Sequence, residues 1–428
     1  MATVFASAAI LPAEETAPLI TLSKISTFQK GNPSTIFDES AAEIVKYHPR
    51  SQSLFIVNAF DKAIDIVDIK DVNNPSLVKS IDLSGMGTPN SVDVCPARHS
   101  NEIAVAVAND DPTKRGLVAF YTTKGRLIRT VQAGFLPDMV TYGPYGHYVL
   151  VANEGEPNED YSVDPEGSVT IIRRYGRHYS TREVRFNNLT EKQLEGVRIT
   201  GREGVTLTPA QDIEPEFISV DAYGKFAYVT LQENNAVAKI DIRRAQIEDM
   251  LPLGSIDHAQ YGFELDASNK DDTIRIANWP VNGLLMPDAI ATYQVRGETY
   301  FVTANEGDGR EREVEINGED VLIYSDETRV KDVTLDPLSF PLAAALQPEE
   351  NLGRLKIVAT EGNLDGDSEY EELYSFGTRS FSIFNSRGRL VFDSGSEFER
   401  IIADRLPDDF GSSNDEIGRF DNRSDDKG

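Results

Sequence analysis

A single cysteine, Cys95, stands in 428 residues, so the chain forms no intrachain disulfide and no cysteine-based zinc cluster. That scarcity suits a reducing compartment, and equally a large exported domain that needs no covalent staples. Histidine is also sparse: His48, His99, His147, His178 and His258 share no His-x-His or His-x-x-x-His spacing. A zinc hydrolase needs two or three convergent histidines, so that class finds no support. Nucleophile elbow, P-loop and dinucleotide fingerprint are missing too. No apolar run approaches the roughly 18 residues of a membrane-spanning helix. Cations are in deficit, with 42 Lys+Arg against 70 Asp+Glu for a net charge of −28. Nucleic acid and anionic membranes both require clustered Lys/Arg, so neither is an expected partner. Divalent cations are.

What remains is an apolar fraction of 40% with 9% aromatics, enough for a sizeable core. Residues 1–17 read as a leader or tail. Ala2–Leu11 has the small and apolar residues of a signal-peptide end but lacks its basic start.

Internal repetition dominates the rest. Ala42–Pro49, Pro89–Pro96, Pro137–Pro144, Pro215–Ala222 and Pro287–Tyr293 share one plan: a small residue or proline, an acid or amide, then a β-favouring run. A second run follows each, at Leu54–Asn58, Ile103–Asn109, Tyr148–Asn153, Phe226–Leu231 and Tyr300–Asn305. Third and fourth runs complete a unit, as in Ala63–Ile69 with Leu77–Leu83 or Ala236–Ile242 with Glu248–Leu253. Four short strands with period-2 alternation predict an all-β propeller rather than a helical solenoid. The unit starts Glu43, Asn90, Asp138, Glu216 and Asp288 lie 47, 48, 78 and 72 residues apart. The longer gaps hold insertions, such as the polar stretch 187–206. A further insertion is expected at 306–376, between the second and third strands of the fifth unit, with strand-like runs at Asp320–Tyr324 and Leu355–Thr360 and a helical stretch near Pro341–Leu346. Blades thus occupy 18–400, five are expected, and an N-terminal strand is expected near Pro18–Thr27.

In a propeller the first strand of each blade lines the channel. The entering loops and the loops after the second strands open on one face. Glu43, Asn90, Asp138, Glu216 and Asp288 are therefore expected to converge on a rim, with Asn153, Glu154, Asn305 and Glu306 beside them. Such a ring offers oxygen ligands only, which suits a hard cation such as Ca²⁺. Crowded carboxylates also repel one another without a cation. The competing role for these residues is to cap turns at the strand starts. Asn363-Leu-Asp-Gly-Asp-Ser-Glu-Tyr-Glu371 alternates oxygen ligands around a glycine, without the spacing of an EF-hand loop. Arg310 and Arg379 sit beside glycines near the acidic loops, placed either to clamp an anionic group or to bridge local carboxylates.

Phe226-Ala-Tyr-Val-Thr through Lys239-Ile-Asp-Ile resembles the YVTN-type propeller repeat. More specifically, Leu136-Pro-Asp-Met-Val, Val151-Ala-Asn-Glu-Gly-Glu-Pro, Tyr161-Ser-Val-Asp-Pro-Glu-Gly-Ser-Val, Thr303-Ala-Asn-Glu-Gly-Asp and Gly377-Thr-Arg-Ser-Phe-Ser-Ile resemble the choice-of-anchor I family. Val391-Phe-Asp-Ser-Gly and the terminal Asp421-Asn-Arg-Ser-Asp-Asp-Lys-Gly belong to the same set. The resemblance covers about residues 18–428. It implies an exported or cell-surface propeller, related to mesenchyme-specific cell surface glycoproteins linked to biomineralisation and to exported proteins labelled alkaline-phosphatase-like. It also implies seven blades in a full-length protein, with 401–428 leading towards the remainder. Three functions are then open. A calcium-binding adhesion, matrix or mineral-associated module leads. A metal-dependent phosphoesterase on the same rim is the rival, and a lactonase-like hydrolase rests on fold analogy alone.

Overall fold

A computed structural model describes residues 22–32, 36, 40–158, 162–176, 178–200, 207–316, 319–412 and 420–426. Five four-stranded antiparallel sheets follow one another along it. Blade one holds Val45–His48, Ser53–Asn58, Ala63–Asp68 and Ser76–Asp82. Blade two holds Thr88–Val94, Glu102–Ala108, Arg115–Thr122 and Leu127–Phe135. Blade three holds Pro137–Tyr142, Tyr148–Asn153, Ser168–Tyr175 and His178–Arg185. Blade four holds Ile218–Val220, Phe226–Leu231, Ala236–Asp241 and Gln246–Pro252. Blade five joins Ile290–Val295 and Glu298–Asn305 to Ser380–Asn385 and Leu390–Asp393, across the long insertion. The fold is a β-propeller.

The stacking follows from period-2 alternation with both faces apolar. Along Glu102–Ala108, Ile103, Val105 and Val107 pack with Phe55, Val57, Ile64 and Ile66 of blade one. The intervening Ala104 and Ala106 pack with Val140, Val149 and Val151 of blade three. The same split recurs in blade four. Ala227, Val229 and Leu231 face the cluster shared with blade three, whereas Tyr228 faces Phe301 and Phe384 of blade five. Innermost strands of consecutive blades touch from one to five, and no comparable packing joins blade five back to blade one among the described residues. Val45 and Tyr47 on blade one, and Tyr293 and Val295 on blade five, are exposed.

The insertions build a second layer: the runs expected at Asp320–Tyr324 and Leu355–Thr360 form strands, while the sheet that gathers the latter with distant segments was not foreseen. Ser255–Asp257 and Asn282–Leu284, from between blades four and five, pair with Tyr374–Phe376, Lys356–Val358 and Glu327–Arg329 in one five-stranded mixed sheet. Its own core gathers Trp279, Val281, Val330, Leu352, Ile357 and Leu373. A hairpin of Glu311–Ile316 and Glu319–Ser325 and a one-turn helix at Ala343–Leu346 complete it. Residues 401–405 belong to a helix, Glu397–Arg405. Beyond it, Asp425 docks on the insertion, taking Arg329 at 2.5 Å and Arg354 at 2.9 Å. One expectation is corrected at the N-terminus: residues 22–27 form no strand, and 18–21 lie outside the described residues. Leu22 is almost wholly exposed, so that segment gains no apolar burial to hold it on a sheet. The leader at 1–17 lies outside the described residues as well.

Candidate functional site

Two turns built alike deliver carboxylates to one end of the propeller. Leu136 and Met286 take left-handed backbone with φ of 43° and 39°, each just before a Pro-Asp pair. Such a conformation is costly for a branched or long side chain, and surrounding structure must hold it. It is held here by matching bonds, Glu154 N–H to the Leu136 carbonyl and Gly307 N–H to the Met286 carbonyl, both 3.0 Å. The pairing of blade three then shifts register between Val151 and Asn153, so Asp138 sits on a bulge that turns its side chain out of the ladder. Asn90 sits on the equivalent irregularity of blade two, between Pro89 and Ser91.

Asp138, Glu154 and Glu216 meet at this end, each offering a carboxylate oxygen within 4.8 Å of the others. They come from blade three's first strand, the loop after its second strand, and the entry to blade four. All three are half-buried. Burial, together with Asp288, Glu43 and Glu156, raises the Asp138 carboxyl to about 7. Burial, then Glu216 and Asp138, lifts Glu154 well above the carboxylate range. Glu216 is lifted likewise by burial, Glu233 and Asp138, partly offset by a hydrogen bond shared with Glu154. Burial and Asp308 raise Asp288. The structure thus brings Glu43, Asp138, Glu154, Glu216 and Asp288 into one electrostatic group.

Other expected members stand elsewhere. Asn153 is buried: its Oδ1 accepts from Gly134 N–H at 2.8 Å, and its Nδ2 reaches Ser168 and Thr170 at 3.1–3.2 Å. Asn305 does the same in blade five, with Nδ2 donating to Thr378, Ser380 and Ser382 at 2.8–3.1 Å. Both amides clasp the second strand to the third, so the recurring strand-end asparagine is a blade fastener. Asn90 reaches the Pro137 carbonyl at 3.5 Å, linking blades two and three. Glu306 is exposed. Arg310 is buried and binds Asp212 at 2.7 Å and Glu214 at 3.2 Å. Arg379 binds Glu399 and the Asp266, Ser424 and Asp426 carbonyls at 2.6–2.9 Å. Both guanidinium forks are therefore engaged within the protein, as bridges rather than open clamps.

Sequence reading missed Glu233. It is buried, its Oε2 has no hydrogen-bond partner, and burial raises its carboxyl despite nearby Arg310. It lies two residues beyond blade four's second strand, where the strand-end asparagine pattern lapses, so nothing marked it. Arg198 holds this turn to the insertion layer, donating to the Glu233 carbonyl at 3.0 Å while pairing with Asp326 and Glu361 at 2.7 Å. Gly155 fixes the opposite loop. Its φ is +75°, and a Cβ there would meet the Glu166–Gly167 backbone at 2.8 Å. A second acidic group, Asp365, Asp367 and Glu371, also has oxygens within 4.8 Å of one another. There the carboxylates accept from the loop's own backbone, Asp367, Glu369 and Leu364 N–H, at 2.5–3.1 Å.

The choice-of-anchor I domain profile matches residues 43–428. Among curated proteins none matches the chain significantly. Solved structures give distant likenesses. Kuenenia stuttgartiensis hydrazine synthase is 15% identical over 65% of this chain and 70% of that one, with a TM-score of 0.40. A functionally unknown protein from Desulfotomaculum acetoxidans is 11% identical, covering 82% and 84%, at 0.37. The β-propeller domain of Cps50 (Swd1) from Myceliophteria thermophila is 10% identical, covering 82% and 86%, at 0.37.

Proposed function

Because the chain belongs to the choice-of-anchor I domain family, we propose that it is an exported or surface-held interaction module that takes Ca²⁺ at Asp138, Glu154 and Glu216. The observation that carries this reading is the trio itself: three half-buried carboxylates within 4.8 Å, drawn from two blades. Among the described residues, the charged neighbours that shift Asp138 are Asp288, Glu43 and Glu156, all carboxylates. Ca²⁺ accepts oxygen ligands at roughly 2.3–2.6 Å, so one ion spans such a spacing with small side-chain adjustment. Without a cation the group must hold protons, as the raised carboxyls indicate, because like charges this close do not all ionise. Glu233 adds a further carboxylate oxygen lacking a partner. In this reading the cation locks blade three to blade four and stiffens the loops on that face, which then meets matrix, mineral or a cell-surface protein. The phosphoesterase alternative gains nothing here, since Arg310 and Arg379 are already occupied by carboxylates and carbonyls.

The test is thermal unfolding of chelator-stripped protein with added Ca²⁺, beside a variant carrying Asp138→Asn, Glu154→Gln and Glu216→Gln. The reading expects Ca²⁺ to raise the wild-type midpoint and leave the variant unmoved. An equal rise in both proteins sinks it.

A further inference from the structure

The opposite end of the propeller has the reverse chemistry. Between blades one and two lies a cleft of about 790 Å³ lined by Arg50, Lys70, Lys79, Lys124 and Arg126, with Asp68 the one carboxylate in its lining. Arg50 follows the end of blade one's first strand, Val45–His48, and Glu43 precedes its start, so the cleft and the acid group occupy opposite faces. In a chain of net charge −28, five exposed cations around one space is a local reversal of sign. Their charge is largely uncompensated. Lys79 Nζ donates to the Gly125 carbonyl at 3.2 Å, and Arg50 Nη1 to the His99 carbonyl at 3.4 Å. Neutral carbonyls orient these groups without neutralising them. Among the described residues only Lys70 of the five pairs, with Asp68 at 2.5 Å. Lys124 and Arg126 make no ion pair among the described residues. Asn101 and Thr122 add neutral hydrogen-bonding groups to the lining.

The geometry points to a small oligoanion carrying several sulfate or phosphate groups as the ligand of this cleft, a site independent of the acid group. Guanidinium forks match the paired oxygens of sulfate and phosphate, and ammonium groups supply adaptable point charges. Clustered cations repel one another, and a multiply charged anion relieves every pair at once. The occupant must be short. A long polyanion leaving the cleft would cross a strongly acidic surface that repels it, whereas a few linked anionic groups fit within the space.

The test titrates two probes, a fully sulfated tetrasaccharide and inositol hexakisphosphate, into the whole chain at about 0.15 M salt, where exposed charges are screened beyond roughly 8 Å. Saturable one-to-one binding of at least one is expected. Binding of the sulfated sugar alone assigns a glycan source, and of the inositol phosphate alone a phosphorylated one. The Lys124→Glu/Arg126→Glu variant should bind at least about tenfold more weakly, a loss of ~1.4 kcal/mol. Lys124→Ala/Arg126→Ala should fall between it and wild type. Lys192→Glu, on an exposed helix elsewhere, should leave affinity unchanged. The inference is overturned if neither probe saturates, if the double reversal binds as wild type does, or if Lys192→Glu weakens binding equally.

Discussion

The two ends of this propeller carry opposite charge, and the fold treats the two signs differently. At the acidic end, carboxylates are drawn inward by bulges and left-handed turns, half-buried, and pushed above their ordinary range by burial and by one another. At the basic end, long cationic side chains stand exposed on turns and on an outer strand. Burial makes the first group a site whose occupant must remove a strain. Exposure makes the second a site that gains by long-range attraction and is weakened by salt. Charge density alone would have ranked the acidic loop at 363–371 beside the trio. That loop is exposed and uses its carboxylates on its own backbone.

The largest expected effect breaks the support of the acidic end. Arg310→Met leaves Asp212 and Glu214 buried without their shared cation, and removal of one partner of a buried pair costs about 3–5 kcal/mol. Denaturant unfolding should show that loss, and the cleft between blades one and two should be untouched. Next comes Glu154→Gln/Glu216→Gln, which removes two of three charged ligands. Calcium affinity should fall at least about a hundredfold, because ligand charge sets affinity in such sites. Gly155→Ala follows. Its backbone has no room for a Cβ and a positive φ, so a drop in calcium affinity of roughly tenfold, about 1.4 kcal/mol, is expected by titration.

The last prediction is a matter of pH. Asp138 has a folded value near 7 against an ordinary 3.8, so the folded state holds more protons between those limits. Stability of the metal-free protein should therefore be highest below about 4 as far as this group is concerned, and fall as pH rises through about 7. Calcium should cancel the fall. Unfolding midpoints between pH 5 and 8, with and without the ion, check it.

Much of the acidic end was legible in the sequence. The recurrent Pro-Asp and Pro-Glu starts mark Asp138, Glu216 and Asp288, and the strands follow from alternating apolar residues that each blade must bury on both faces. Asn153 and Asn305 were read as rim residues because sequence gives position along a strand but not the direction of a side chain. Their amides turn inward to hydroxyls of the neighbouring strand. Glu233 stayed hidden because its burial depends on Arg198 and the insertion layer folding over it. Of that layer, the strand runs at Asp320–Tyr324 and Leu355–Thr360 and the helical turn near Pro341–Leu346 were legible, but its five-stranded sheet was not. The strands of that sheet are three residues long, and Asn282–Leu284 pairs in parallel with the distant Tyr374–Phe376, a contact no local pattern announces. The basic cleft is the extreme case. Its five cations come from two blades, Arg50, Lys70 and Lys79 from blade one and Lys124 and Arg126 from one turn of blade two, and meet only when the blades stack.

Calcium titration by calorimetry at pH 6.5, in two buffers of different ionisation enthalpy, tests the central claim most directly. A carboxylate group that holds protons until a cation displaces them predicts one saturable site and a heat that differs between buffers, since binding releases protons. Buffer-independent heat, or weak uptake without stoichiometry that fades with salt, would contradict it.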